Sequence, residues 1–172
     1  MVNIRNVRLD DVPHLLEIYA PYIKETAISF EYDVPTEEEF AQRVSSIIRK
    51  YPFLVAERDG TIVGYAYAGE FKGREAFRWT VETSVYVHQN MRHGGIGRML
   101  YVTLEQKLCQ RGFHSMCACI AYTEREDDPH LKNDSVLFHE RMGFNLVAHF
   151  HSCGWKFMRW YDMVWMEKLL NS

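Results

Sequence analysis

The sequence predicts an α+β fold with strands gathered into a central mixed sheet. Three observations carry this. Strand-like and helix-like runs follow one another without strict βαβα alternation. A hairpin signal, Asp59-Gly60, joins two apolar runs in the first half, and two further strand-like runs close the chain. The 172 residues fit a single domain spanning 1–172 and suffice to bury a core.

Taken in order, residues 2–7 predict a short strand. "RLDDVPHLLEIYAPYIKET" predicts a helix, with Asp10 or Asp11 as cap and Pro13 suited to its first turn. "PTEEEFAQRVSSIIRKY" opens with Thr36-x-x-Glu39, a capping-box spacing, and keeps helical periodicity to Lys50. "FLVAERDGTIVGYAYAGEF" gives the two strands of the hairpin. Residues 77–87 predict a longer strand and 95–110 an amphipathic helix. "FHSMCACIAY" is apolar enough for a buried strand. "NDSVLFHERMGF" predicts a helix capped by Asn133 or Ser135 and ended by Gly143. Residues 146–152 and 161–169 predict the closing strands.

Composition is that of a water-soluble globular protein: 47% hydrophobic, 25% charged, net charge −3. That balance argues against a nucleic-acid binder driven by bulk positive charge. The N-terminus lacks the apolar core of a signal peptide, and no window approaches membrane-spanning length, so a cytoplasmic protein with no membrane partner is expected. Four cysteines are too few and too unevenly spread for a disulfide scaffold, which fits a reducing compartment.

The chemistry concentrates in "TVETSVYVHQNMRHGGIGRMLYVTLEQKL", residues 80–108. Between its strand and helix stand Arg92, His93, Gly94, Gly95, Ile96, Gly97 and Arg98. Glycines let backbone N–H groups approach a ligand closely, the helix start adds its positive dipole end, and two arginines add charge. A diphosphate suits such a cradle, as does the plainer reading of a glycine-softened loop. The spacing is neither that of a P-loop nor that of a dinucleotide fingerprint. Glu82, a carboxylate in an apolar strand, is the second signal. Partial desolvation by neighbours such as Trp79, Val81 and Val85 would lift its pKa towards that of a working base; the alternative is an outward-facing glutamate paired with a lysine.

Arg92-x-x-Gly95-x-Gly97 resembles the Gln/Arg-x-x-Gly-x-Gly/Ala signature of the GCN5-related N-acetyltransferases (GNAT). "YPFLVAERDGTIVGYAYAG", "WTVETSVYV", "FHERMGF" and "GWKFMRWYDMVWM" are similar to the phosphinothricin acetyltransferase branch, in order along nearly the whole chain. The resemblance implies the GNAT fold, a mostly antiparallel sheet flanked by helices, and acetyl-CoA as co-substrate. It implies that the backbone of Val85, Tyr86 and Val87 pairs with the pantetheine arm, and that residues 92–98 hold the diphosphate. Asn133 takes the place of a cofactor-contacting asparagine. The family commonly has Asn-x-x-Ser there, whereas Asn133-Asp134-Ser135 is one residue short, after a charged stretch, "TEREDDPHLK", longer than is usual in the branch.

Glu82 occupies the branch's general-base position. His139 matches a histidine implicated in proton handling; read alone, it better suits a helix histidine satisfied by backbone or by the surroundings of Glu140. The branch acetylates α-amino groups of small acids such as phosphinothricin and methionine sulfoximine or sulfone. Phe30 stands where the branch places a pocket aromatic. Arg74 and Arg78 suit the acceptor's carboxylate, because guanidinium binds carboxylates bidentately. Tyr32, Trp79, Trp155, Phe157, Trp160 and Tyr161 are further wall residues, or core. A homodimer through the closing strands is implied. Other amines (a peptide N-terminus, a polyamine, an amino sugar) remain alternative acceptors, and a non-catalytic acyl-CoA-binding domain is the alternative class.

No metal is assigned. His149-x-His151-x-Cys153 alternates so as to put three side chains on one strand face, which suits zinc, but no fourth ligand stands at familiar spacing. Cys117-x-Cys119 lacks redox spacing and reads as buried thiols.

Overall fold

A computed structural model describes residues 1–92 and 94–170. Seven strands form one sheet: β1 (Val2–Asn6), β2 (Phe53–Arg58), β3 (Thr61–Glu70), β4 (Thr80–Val87), β5 (Ser115–Tyr122), β6 (Asn145–Lys156) and β7 (Arg159–Leu169). Their order is β1-β2-β3-β4-β5-β7-β6. Only β4 and β5 run parallel; every other pair is antiparallel. The expected α+β fold with a mixed, mostly antiparallel sheet is present.

Helices α1 (Val12–Lys24) and α2 (Glu37–Ile48) cover one face, and α3 (Ile96–Gln110) and α4 (Asp134–Arg141) the other. The strand period of two sorts β2 between them: Phe53 and Val55 join the α1/α2 core, Leu54 and Ala56 the α3 core. Gly64 on β3 lets α3 lie close, since a Cβ there would stand 3.0 Å from the Tyr86 carbonyl and 3.3 Å from Ile96 and Leu100.

Local signals place most elements. Thr36 and Glu39 form the reciprocal capping box, the Thr36 Oγ1 accepting from the Glu39 amide at 3.2 Å and the Glu39 carboxylate from the Thr36 amide at 2.8 Å. Asp59 and Gly60 both take positive φ (51° and 80°), the two-residue turn their sequence calls for.

Four expectations are corrected. Residues 77–79 are not strand: Glu75–Phe77 is a 3-10 turn, and the Trp79 carbonyl accepts from His114 as β4 begins. Asp11 does not cap α1 by its side chain; it accepts from the Arg8 amide at 2.7 Å and pairs with Arg5 at 2.8 and 2.9 Å, closing the 3-10 turn Leu9–Asp11. Neither Asn133 nor Ser135 caps α4 with a side-chain bond. The closing strands are one long hairpin whose turn, Phe157-Met158, takes positive φ (50° and 57°) without glycine or asparagine. That turn was illegible because the residues that usually mark it are absent; tertiary contacts hold it instead.

Candidate active site

The parallel pairing of β4 with β5 covers only Thr80–Glu82 against Ser115–Cys117, whereas β4 pairs with β3 along its length to Val87. Past Glu82, therefore, the β4 edge facing β5 has no strand partner. A cleft opens there, lined by Ser84, Val85, Tyr86, Cys119, Ile120 and Ala121. An unpaired strand edge is a template for another extended, amide-bearing chain. Val85, Tyr86 and Val87 stand on that edge, although the Val87 carbonyl is taken by the Tyr22 hydroxyl at 2.5 Å.

The strand leads through a 3-10 turn, Gln89–Met91, into the glycine segment. Gly95 takes φ 76° as α3 begins at Ile96, a left-handed cap that glycine adopts without strain. Gly94, Gly95, Arg92 and Arg98 are exposed, so the start of α3, whose first-turn amides have no partner within the helix, is flanked by two guanidinium groups. Arg92 also lies 3.7 Å from Asp134 at the start of α4. His93 falls outside the described residues.

Glu82 sits at the point where β4 and β5 part, half-buried. Burial raises its pKa above the usual carboxylate range, and the exposed Lys72 partly opposes that rise. Lys72 lies over the rings of Phe71 and Trp165 at 5.4 and 5.5 Å, and Trp165 is the β7 partner of Cys119. Loop 71–79 is thereby folded towards the Glu82 side of the cleft.

His139 is buried. Its Nδ1 donates to the Ser135 carbonyl at 2.7 Å, leaving Nε2 to accept from the Tyr101 hydroxyl at 2.9 Å. Tyr101 in turn lies 3.1 Å from the Thr83 hydroxyl, whose one proton is shared between the Tyr101 oxygen and the Cys117 carbonyl at 3.3 Å. Burial pushes the His139 pKa down to about 4, so its ring is neutral at physiological pH. Tyr101 and Thr83, which sequence reading missed, connect α4 through α3 to the strand beneath the cleft. Both Asn133 polar atoms pair with the main chain of Thr123, at 3.2 and 2.7 Å, which closes the 123–133 loop.

The expected acceptor-side residues fall in two groups. Phe30 packs beside Tyr161 (centroids 6.5 Å apart) and so tightly over Gly154 that a Cβ there would come within 2.4 Å of its ring. The Tyr32 hydroxyl donates to the Trp155 carbonyl. Arg74 and Arg78 are on the exposed loop leading into β4; Arg78 pairs with Glu75 at 2.7 Å and lies 5.0 Å from the Trp79 ring. Of the two strand thiols, Cys117 is buried as expected but Cys119 opens into the cleft. The cleft's apolar walls still push the Cys119 thiol up to about 12, which keeps it protonated and a poor nucleophile.

A strand edge left open beside a glycine cradle is a cofactor site in search of a family. Residues 4–165 match the family description "Acetyltransferase (GNAT) domain". The chain belongs to the GNAT acetyltransferase family. As a GNAT protein it is an N-acetyltransferase. It is 35% identical to a phosphinothricin N-acetyltransferase of Alcaligenes faecalis, over 98% of this chain and 83% of that one. It is 33% identical to an L-methionine sulfoximine/L-methionine sulfone acetyltransferase of Pseudomonas aeruginosa, over 98% and 95%. A GNAT phosphinothricin acetyltransferase from Sinorhizobium meliloti, solved in complex with acetyl-CoA, superposes with TM-score 0.90 at 31% identity, over 99% of this chain and 89% of that one.

Proposed function

We propose that this GNAT enzyme transfers the acetyl group of acetyl-CoA to the α-amino group of a small amino-acid-like acceptor, of the phosphinothricin or methionine sulfoximine type, by direct attack. Acetyl-CoA is the co-substrate. The open β4 edge over Val85–Val87 fits its amide-bearing arm, and the free amides of residues 94–98 with Arg92 and Arg98 fit its diphosphate. Relatives of that substrate class, each covered over nearly the whole of this chain, support the acceptor. A neighbour of the same fold holds acetyl-CoA.

One observation carries the mechanism: a half-buried carboxylate with a raised pKa stands where the two strands part. An ammonium has no lone pair, and an α-amino group, with a pKa of about 8 or above, is mostly in that form at pH 7. Glu82 takes the proton from the acceptor nitrogen, directly or through one water. The freed lone pair attacks the acetyl carbonyl and the thiol departs. A positioned base of this kind contributes about 10²–10⁴-fold. No covalent acetyl-enzyme is needed, in keeping with the protonated thiol of Cys119.

His139 serves as a neutral hydrogen-bond acceptor that holds Tyr101 under the cleft. Asn133 closes the loop at its rim. Arg74 and Arg78 receive the acceptor's carboxylate, with Phe30 as apolar wall. The protein works in the cytoplasm as a homodimer formed through the closing strands.

The test is a panel of amines with acetyl-CoA, following thiol release. Phosphinothricin, methionine sulfoximine and methionine sulfone are set beside spermidine and a peptide with a free N-terminus. Turnover of the first three with Glu82→Gln slowed about 100-fold or more and acetyl-CoA affinity unchanged is the expected result. Unaltered turnover in Glu82→Gln removes the base; acetyl-CoA binding without turnover of any amine would leave an acyl-CoA-binding domain.

A further inference from the structure

On the far side of β7 from the β4/β5 cleft, strand β6 forms the edge of the sheet, and a second cluster of chemistry-bearing side chains gathers there. His149 and His151, on β6, stack with ring centroids 4.1 Å apart and planes within 15°. Asp162, on β7, faces them, its Oδ2 accepting from His149 Nε2 at 2.7 Å. One ligand atom from each of the three lies within 4.8 Å of the others.

The backbone explains how this arises. The β6–β7 register shifts between Phe150 and Gly154, and Ser152 takes φ 48°. This bulge ends the alternation that would have carried Cys153 onto the histidine face; its thiol instead lies 3.7 Å from the Phe150 carbonyl. The same bulge turns the Ser152 amide onto Asp162 Oδ1 at 2.7 Å, which fixes the carboxylate and leaves Oδ2 pointing at the imidazoles. His149 is further braced edge-to-face by Tyr122, 5.1 Å away.

We propose that His149, His151 and Asp162 form a binding site for a divalent transition-metal ion of the zinc class. Two imidazoles and one carboxylate are the donor set that borderline cations take, and three protein ligands leave a fourth position for water. Around a tetrahedral ion with bonds of about 2.0–2.2 Å, ligand atoms stand about 3.4 Å apart. The three ligand atoms already lie within 4.8 Å of one another on two paired strands, and His151 is exposed. The ion takes the place of the proton between His149 and Asp162, and it staples β6 to β7 just before the hairpin reaches Gly154 and Phe30. Cys153, which the spacing suggested as third ligand, is replaced by Asp162.

Tag-free protein in a non-chelating buffer is titrated with Co²⁺, followed by its d–d absorption, and with Zn²⁺ by calorimetry. One ion per chain is expected. His151→Asn and Asp162→Asn, each checked for native circular dichroism, are expected to weaken it at least about tenfold, because even outer-shell partners of a metal cost 10–100-fold. Zn²⁺ is also expected to raise the Tm of the wild-type protein and not that of His151→Asn. The exposed His151 makes that variant safe for folding. Equal affinity in wild type and His151→Asn, or no saturable binding at millimolar ion, overturns the assignment.

Discussion

Residue by residue, the site shows two titratable groups moved in opposite senses by the same cause. Desolvation raises Glu82 and lowers His139, because burial disfavours whichever form is charged. The acid limb of kcat/KM is therefore expected above the free-carboxylate value of about 4.3. Lys72 pulls the other way, so Lys72→Met is expected to move that limb to still higher pH. A pH–rate profile of the two proteins measures this, and coincident limbs would exclude Lys72 from the field at Glu82.

For His139 the sign follows from its depressed folded-state pKa. Above about pH 6.5 the ring is neutral in both states and its burial carries no protonation penalty. As pH falls from 6.5 to about 4 the unfolded chain takes up a proton that the folded one refuses. Stability contributed by the neutral ring, about 3 kcal/mol for a shift of this size, is lost across that window. Denaturant midpoints between pH 7 and 4 are expected to fall less steeply in His139→Gln than in wild type.

At the scale of elements, the charged stretch 123–132 proves to be a brace. Asp128 is buried and accepts from the amides of His130 (2.9 Å) and Leu131 (3.0 Å), from the Tyr161 hydroxyl (3.2 Å) and from Arg159 (2.9 Å). His130 stacks on Phe157 with centroids 3.8 Å apart and donates to the Glu25 carbonyl at 3.1 Å. The loop thus ties the β6–β7 turn to the end of α1, which is what holds Phe157 and Met158 at positive φ. Lys156, also buried, donates to the carbonyls of Ile23, Thr26 and Ser29 at 2.6–2.9 Å and fixes the segment that carries Phe30. Asp128→Ala strips four donors of their partner at once. It is expected to cost about 2–4 kcal/mol, read as a lower urea midpoint at constant slope. An unchanged midpoint would mean the loop is only draped over the hairpin.

The whole molecule ends its sheet in β6, twelve residues long, with Leu146, Val147, Phe150 and Trp155 exposed on it. A long apolar edge strand is a liability unless something covers it. A second copy of the chain is the proposed cover. Light scattering is expected to give twice the chain's mass of 20.3 kDa, and Phe150→Glu the mass of a single chain. Monomeric wild-type protein would refute the dimer. No helix among the described residues is long and apolar enough to cross a membrane.

The order of elements, the Thr36 capping box, the Asp59-Gly60 turn and the glycine cradle before α3 were all legible in the sequence. Each is set by interactions within a few residues, where side-chain chemistry and backbone geometry meet directly. The carboxylate in an apolar strand was legible too, as an anomaly of pattern. Tertiary structure alone decided where β4 and β5 separate, that Tyr101 would reach His139, and that a bulge would exchange Cys153 for Asp162. It also made Asp128 the anchor of the 123–133 loop and Lys156 that of the segment carrying Phe30. These depend on groups tens of residues apart being brought within 3 Å, and burial, which sets their charge, exists only once the chain has closed around them.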